Sequence, residues 1–165
     1  MIDIIDQILK FEGGFTDHSA DKGGCTNFGI TAATLGEWRK LGRDASFVEV
    51  QNLTKDEAKE IYTQNYILQP RFNLIEDGAL RFLCVDSAVN SGPQRATEWL
   101  QEALAITSDG VLGPKTLAAV ASCEPSVVYR KLLAIRIKFI GKIVTNNPSQ
   151  LVFLNGWLNR LVSFI

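Results

Sequence analysis

The chain has 165 residues, 46% of them apolar, and a formal net charge of −1. That length supports a real hydrophobic core, the apolar content excludes a disordered chain, and the balanced charge gives no footing for nucleic-acid binding. The charge is uneven, however. Residues 1–60 hold 11 acids and 7 bases, and residues 61–165 hold 7 acids and 10 bases, so a polymer carrying carboxylates would prefer the second part. His18 is the sole histidine, which argues against a zinc site built on imidazoles. Cys25, Cys84 and Cys123 show no C-x-x-C spacing, as expected of a chain made in a reducing compartment.

Residues 2–11 carry Ile4, Ile5, Ile8, Leu9 and Phe11 at helical spacing, and Gly13-Gly14 reads as the stop. Glu12 therefore falls at the helix C-terminus. The partial negative charge there opposes a second negative charge and favours the protonated acid. A carboxylic acid held protonated can donate to a leaving oxygen. Many helices end in Glu-Gly with no catalytic role, so the following residues carry the weight. Glycines stand at 13, 14, 23, 24 and 29, with Thr16, Asp17, Ser19, Asp21, Thr26 and Asn27 between them. A loop this long is uncommon in a compact domain unless it binds or reacts. Cys25 lies in it without a convincing histidine partner, so an inert thiol is the expectation.

The run Glu12-Gly13-Gly14-Phe15, then Asp21-Lys22-Gly23-Gly24-Cys25-Thr26-Asn27-Phe28-Gly29-Ile30-Thr31, resembles the family 108 glycoside hydrolases, N-acetylmuramidases of phages and bacteria. It is also similar to phage-type lysozymes, in which a glutamate at a helix end is followed by an aspartate and a threonine on a small hairpin. Eight residues separate Glu12 from Asp21, as in that pattern, and four separate Asp21 from Thr26 rather than five. The resemblance implies Glu12 as general acid, Asp21 as base or nucleophile, and Thr26 as the residue that orients water, with Thr31 as a competitor. Phe15 stands where the family usually has tyrosine. Phe15, Asn27, Thr31, Tyr66 and Asn90 are the expected substrate contacts. No metal or cofactor is expected, since donor and acceptor are both side chains.

Further along, Thr31 can cap a helix carrying Leu35 and Trp38, stopped at Gly42. Ser46-x-x-Glu49 and Thr54-x-x-Glu57 read as two capping boxes. The second opens a helix bearing Ala58, Ile61, Tyr62 and Tyr66. Residues 74–91 read as an apolar helix; on it, Asp86 is expected to pair with Arg81 or Arg136, because an unpaired buried charge is costly. Pro93, Pro114 and Pro125 each suit a first helical position. The helix after Pro125 is apolar almost all round and should run through the core. The last, from Pro148, carries a stripe at Leu151, Leu154, Leu158, Leu161 and Ile165.

Trp99-Leu100-Gln101, then Asp109-Gly110, Gly113-Pro114, Thr116 and Ala119-Val120, resembles a peptidoglycan-binding helical unit. The same residues are what a helix pair needs to fold. The expectation is an all-α, lysozyme-like fold with a small hairpin or irregular loop after the first helix. It forms one compact domain over 1–165, with the catalytic motif in 1–92 and a peptidoglycan-binding-like region in 93–165. The resemblance implies hydrolysis of the β-1,4 bond between N-acetylmuramic acid and N-acetylglucosamine. Its rivals are a lytic transglycosylase and a non-catalytic wall-binding or secretion-accessory module. Asp3 and Asp6 stand where a signal peptide would carry lysines, and no segment reaches ~18 uninterrupted apolar residues. Action on bacterial peptidoglycan without a signal peptide or membrane insertion calls for a holin or other export factor.

Overall fold

A computed structural model describes residues 4–16 and 24–165. The architecture is all-α and lysozyme-like, with one small hairpin. The chain packs as two compact units, Met1–Asn65 and Tyr66–Ile165.

In the first unit, α1 (Ile4–Glu12) buries Ile5, Ile8 and Leu9 and packs on α4 (Lys55–Thr63). Its polar side is tied to the same helix: Asp6 accepts from Lys59 and is ion-paired with Lys55, each at 2.8 Å. Strands β1 (Thr26–Asn27) and β2 (Ile30–Thr31) form an antiparallel hairpin in the register Thr26–Thr31. Its central residues, Phe28 and Gly29, have φ of 52° and 73°, the signs that a two-residue type I′ turn requires. Thr31 caps α2 (Ala32–Trp38), accepting from Thr34 N–H at 3.2 Å. Ser46 and Glu49 complete a capping box on α3 (Phe47–Gln51). The expected second box is only half made. Thr54 caps α4, but the Glu57 carboxylate instead binds Arg39 at 2.7 and 2.6 Å, a bidentate ion pair in place of a single bond from its own cap N–H.

Acid should reveal these ties. Lys55 and Lys59 hold the Asp6 carboxyl down to about 2, and Arg43 with Ser46 does the same for Glu49. A carboxylate with a depressed folded pKa contributes stability that is complete above its unfolded pKa, ~4, and lost as pH falls through the folded value. Denaturant midpoints should therefore drop between pH ~4 and 2. An acid limb unchanged in Asp6→Asn/Glu49→Gln would contradict this account.

A π-helical turn, Gln64–Leu68, follows α4. In the second unit the helix expected from residue 74 begins later. Phe72–Leu74 is a 3-10 turn, and Asp77 caps α5 (Gly78–Ser91) by accepting from Leu80 N–H at 2.7 Å. Prolines open α6 (Pro93–Ala103), α7 (Pro114–Ser122) and α8 (Pro125–Asn146) as the sequence predicts. A 3-10 turn, Pro148–Gln150, leads into α9 (Leu151–Val162).

Two expectations need correction here. Helix α8 is not a fully buried core helix: it buries Val128, Leu132, Leu133 and Arg136, while Val127 and Ile137 are exposed. The stripe of α9 is likewise largely exposed, with Leu151, Leu158 and Ile165 at the surface and Leu161 buried. Periodicity marks an apolar face but not whether a neighbour covers it.

The Gln101 motif has a structural task. Its buried amide donates to Asp109 Oδ1 at 2.7 Å, to the Val111 carbonyl at 3.1 Å and to Thr116 Oγ1 at 3.0 Å, and its oxygen accepts from Gly110 N–H at 2.9 Å. These bonds lock the turn between α6 and α7. They satisfy polar groups that would otherwise be buried at a cost.

Asp86 is fully buried and ion-paired to two arginines from different helices. Arg136 of α8 reaches Oδ2 at 2.8 Å, and Arg160 of α9 reaches Oδ1 at 2.8 Å. Burial pulls the Arg136 guanidinium down in pKa, against the attraction of Asp86.

Candidate active site

Glu12 is the last residue of α1, and Gly13, at φ +77°, turns the chain out of the helix. The side chain is half-buried. What fixes its surroundings is the hairpin turn. A β-carbon placed on Gly29 would lie 2.9 Å from Glu12 Oε2, 3.3 Å from Glu12 Cβ and 2.8 Å from the Tyr62 hydroxyl. Gly29 is thus required twice, by its positive φ and by the close approach of the carboxylate. Tyr62 is buried on α4, and its hydroxyl donates to the Phe28 carbonyl at 2.9 Å. That bond pins the turn whose glycine makes room for Glu12.

The threonines align beside this turn. Thr16 and Thr26 exchange backbone hydrogen bonds at 2.8 and 2.9 Å, and their hydroxyls lie 2.9 Å apart. Thr26 in turn faces Thr31 across the hairpin. Cross-strand partners share a face, so Thr16, Thr26 and Thr31 form one row. The Thr31 hydroxyl is engaged in capping α2 and lies 3.0 Å from that of Thr34; the Thr26 hydroxyl meets that of Thr16. Asp21 and His18 lie outside the described residues.

The other expected contacts are spread out. Phe15 packs edge-on against Phe47, with centroids 5.3 Å apart. Asn27 is buried, and its amide donates to the carbonyls of Val50, Gln51 and Leu53 at 3.1–3.4 Å. In this structure it ties β1 to the end of α3. Tyr66 sits half-buried in the π-helical turn Gln64–Leu68. Asn90 donates to the Asp86 carbonyl at 2.8 Å and lines a cavity of the second unit. Cys25 is a half-buried free thiol. Tyr62 was not expected as a site residue, because its place in the apolar stripe of α4 gives it the pattern of a core residue.

Gly29→Ala is expected to displace the Glu12 carboxylate. A misplacement of ~1 Å can cost ~10²-fold in rate, and an alanine at this positive φ should also cost stability, by more than ~1 kcal/mol. Turnover of soluble glycan, read beside the urea midpoint, checks this. Wild-type turnover in the alanine variant would contradict it.

The catalytic chemistry such a site could run is bounded by its groups. A carboxylic acid, a phenol and hydroxyls can move protons and hold water. Among the described residues no cluster of histidine, cysteine, aspartate or glutamate could hold a metal ion, and no described helix is long and apolar enough to cross a membrane.

Comparison with known proteins fits this arrangement. The model for glycosyl hydrolase 108 matches residues 5–92, and one described as a predicted peptidoglycan domain matches residues 95–162. The chain is similar to the solved structure of Brucella abortus SagA, with 34% identity and a TM-score of 0.82, over 97% of this chain and 88% of that one. No curated protein matched. Together these findings support a role in hydrolysing and binding peptidoglycan at the cell wall. With a family match that takes in Glu12, Gly29 and Tyr62, and a solved relative similar over nearly its whole length, the chain belongs to glycosyl hydrolase family 108.

Proposed function

We propose that the protein is an N-acetylmuramidase that hydrolyses the β-1,4 bond between N-acetylmuramic acid and N-acetylglucosamine. The observation that carries the reading is Glu12 at a helix C-terminus, against the Gly29 turn. In this reading Glu12 donates its proton to the glycosidic oxygen as the bond to the anomeric carbon breaks. Asp21 either activates the attacking water or attacks that carbon itself; carboxyl separations of ~6.5–9.5 Å favour the first and ~5–5.5 Å the second. Thr26 orients the water, and the peptidoglycan-binding region holds the polymer.

Mass spectrometry of the products tests the proposal. Hydrolysis leaves reducing N-acetylmuramic acid ends that carry the mass of one added water. An anhydro product would assign a lytic transglycosylase instead. Binding to walls with no release of fragments would assign an accessory module.

A further inference from the structure

The second unit contains a cavity of about 180 Å³ that the chemistry at Glu12 does not use. Helices α6, α8 and α9 supply its charged and aromatic walls: Arg95, Arg136 and Arg160 with Trp99, Phe139 and Trp157. Among the described residues no carboxylate lines it. Asp86 offsets one of the two arginines it pairs with, so the local balance stays positive, and Arg95 adds to it. Arg95 lies over the Phe139 ring at 5.0 Å, and Trp99 meets the same ring edge-on at 4.9 Å. Arg136 is buried, and its Nη1 has no hydrogen-bond partner among the described residues. Buried cationic donors normally find acceptors, and guanidinium groups match carboxylates in shape as well as charge.

We infer that this cavity is a subsite for the free carboxylate end of a wall stem peptide. The identity of the polymer rests on the function proposed above; the subsite's chemistry rests on the cavity. Unmodified N-acetylglucosamine units are neutral, so an arginine-lined cavity without acids would gain nothing from them. The stem peptide carries the carboxylates. The carboxylate belongs to a single terminal amino-acid residue, which a cavity of about 180 Å³ admits. Aromatic walls cover the apolar part of such a residue while the guanidinium groups take its charge.

The test uses the full chain with Glu12→Gln, so that ligands are not cut. Titration calorimetry compares a muramoyl tetrapeptide with free carboxylates, the same compound amidated, and an N-acetylglucosamine tetramer. The free acid should bind roughly tenfold or more tighter than the amide, with affinity falling as salt rises. Arg95→Gln and Trp157→Ala, each added to that background and shown to be folded by circular dichroism, should each weaken the free acid several-fold and leave the amide little changed. Equal affinity for acid and amide would overturn the inference, as would unchanged binding in both variants. Product analysis on the wild type runs in parallel. Glycan cleavage without peptide binding would sink the subsite and spare the muramidase reading; peptide binding without cleavage would do the reverse.

Discussion

Glu12→Gln is expected to fold like the wild type and to lose ~10²–10⁴ of its glycan-cleaving rate, the usual contribution of general acid–base catalysis. The amide keeps the shape that fits beside Gly29 and Tyr62 but cannot release a proton to a leaving oxygen. Glu12 is at the end of its helix and half-buried, outside the Ile5, Ile8 and Leu9 core of α1. The denaturant midpoint should therefore stay close to that of the wild type. Soluble glycan is the right substrate, because wall electrostatics then do not distort the comparison. A correctly folded variant that cleaves at the wild-type rate would remove Glu12 from the mechanism and, with it, the muramidase reading.

The second large effect is on stability. Asp86→Asn leaves Arg136 and Arg160 in place without their counter-charge. Breaking a buried ion pair from one side costs ~3–5 kcal/mol, because the largely buried guanidinium groups lose the carboxylate that compensates their desolvation. That is a large share of the ~5–15 kcal/mol that holds a typical domain together. At ~1–3 kcal/mol per molar urea, the midpoint should fall by at least about 1 M. Replacing all three residues with apolar ones of similar volume should recover most of the loss. If Asp86→Asn alone were neutral, the two arginines would have to be solvated, contrary to Arg136 being 5% exposed.

Much of this structure was legible in the residues. The stop at Gly13, the caps at Thr31, Ser46 and Thr54, and the three helix-opening prolines all act locally, through φ and hydrogen bonds within a few positions. That Asp86 needs a cation was also readable, because a carboxylate amid apolar residues must be paired; of the two partners considered, Arg81 and Arg136, the structure supplies Arg136, and Arg160 joins it. Other features depend on partners distant in sequence. Glu57 left its cap for Arg39 because a guanidinium came within reach across 18 residues. The apolar faces of α8 and α9 carried no sign of how little would cover them. At the candidate site, the glutamate and the hairpin were visible as a pattern, but the reason for Gly29 was not. It lies in the approach of Glu12 and Tyr62, 17 and 33 positions away in the sequence, and only the fold brings them together.

The arginine–aspartate–arginine arrangement also sets a clock during synthesis. Asp86 meets Arg136 50 residues later and Arg160 74 residues later. At ~5–20 residues per second, that second interval is roughly 4–15 s on the ribosome. For that time the growing second unit holds an acid whose full set of partners has not been made, so its α5 cannot settle into its final dry surroundings. Within the first unit, Asp6 finds Lys59 after 53 residues, before Asp86 has been added. A nascent chain halted between Arg136 and Arg160 would therefore hold Asp86 paired on one side only, and its second unit should be more readily digested than that of the released chain.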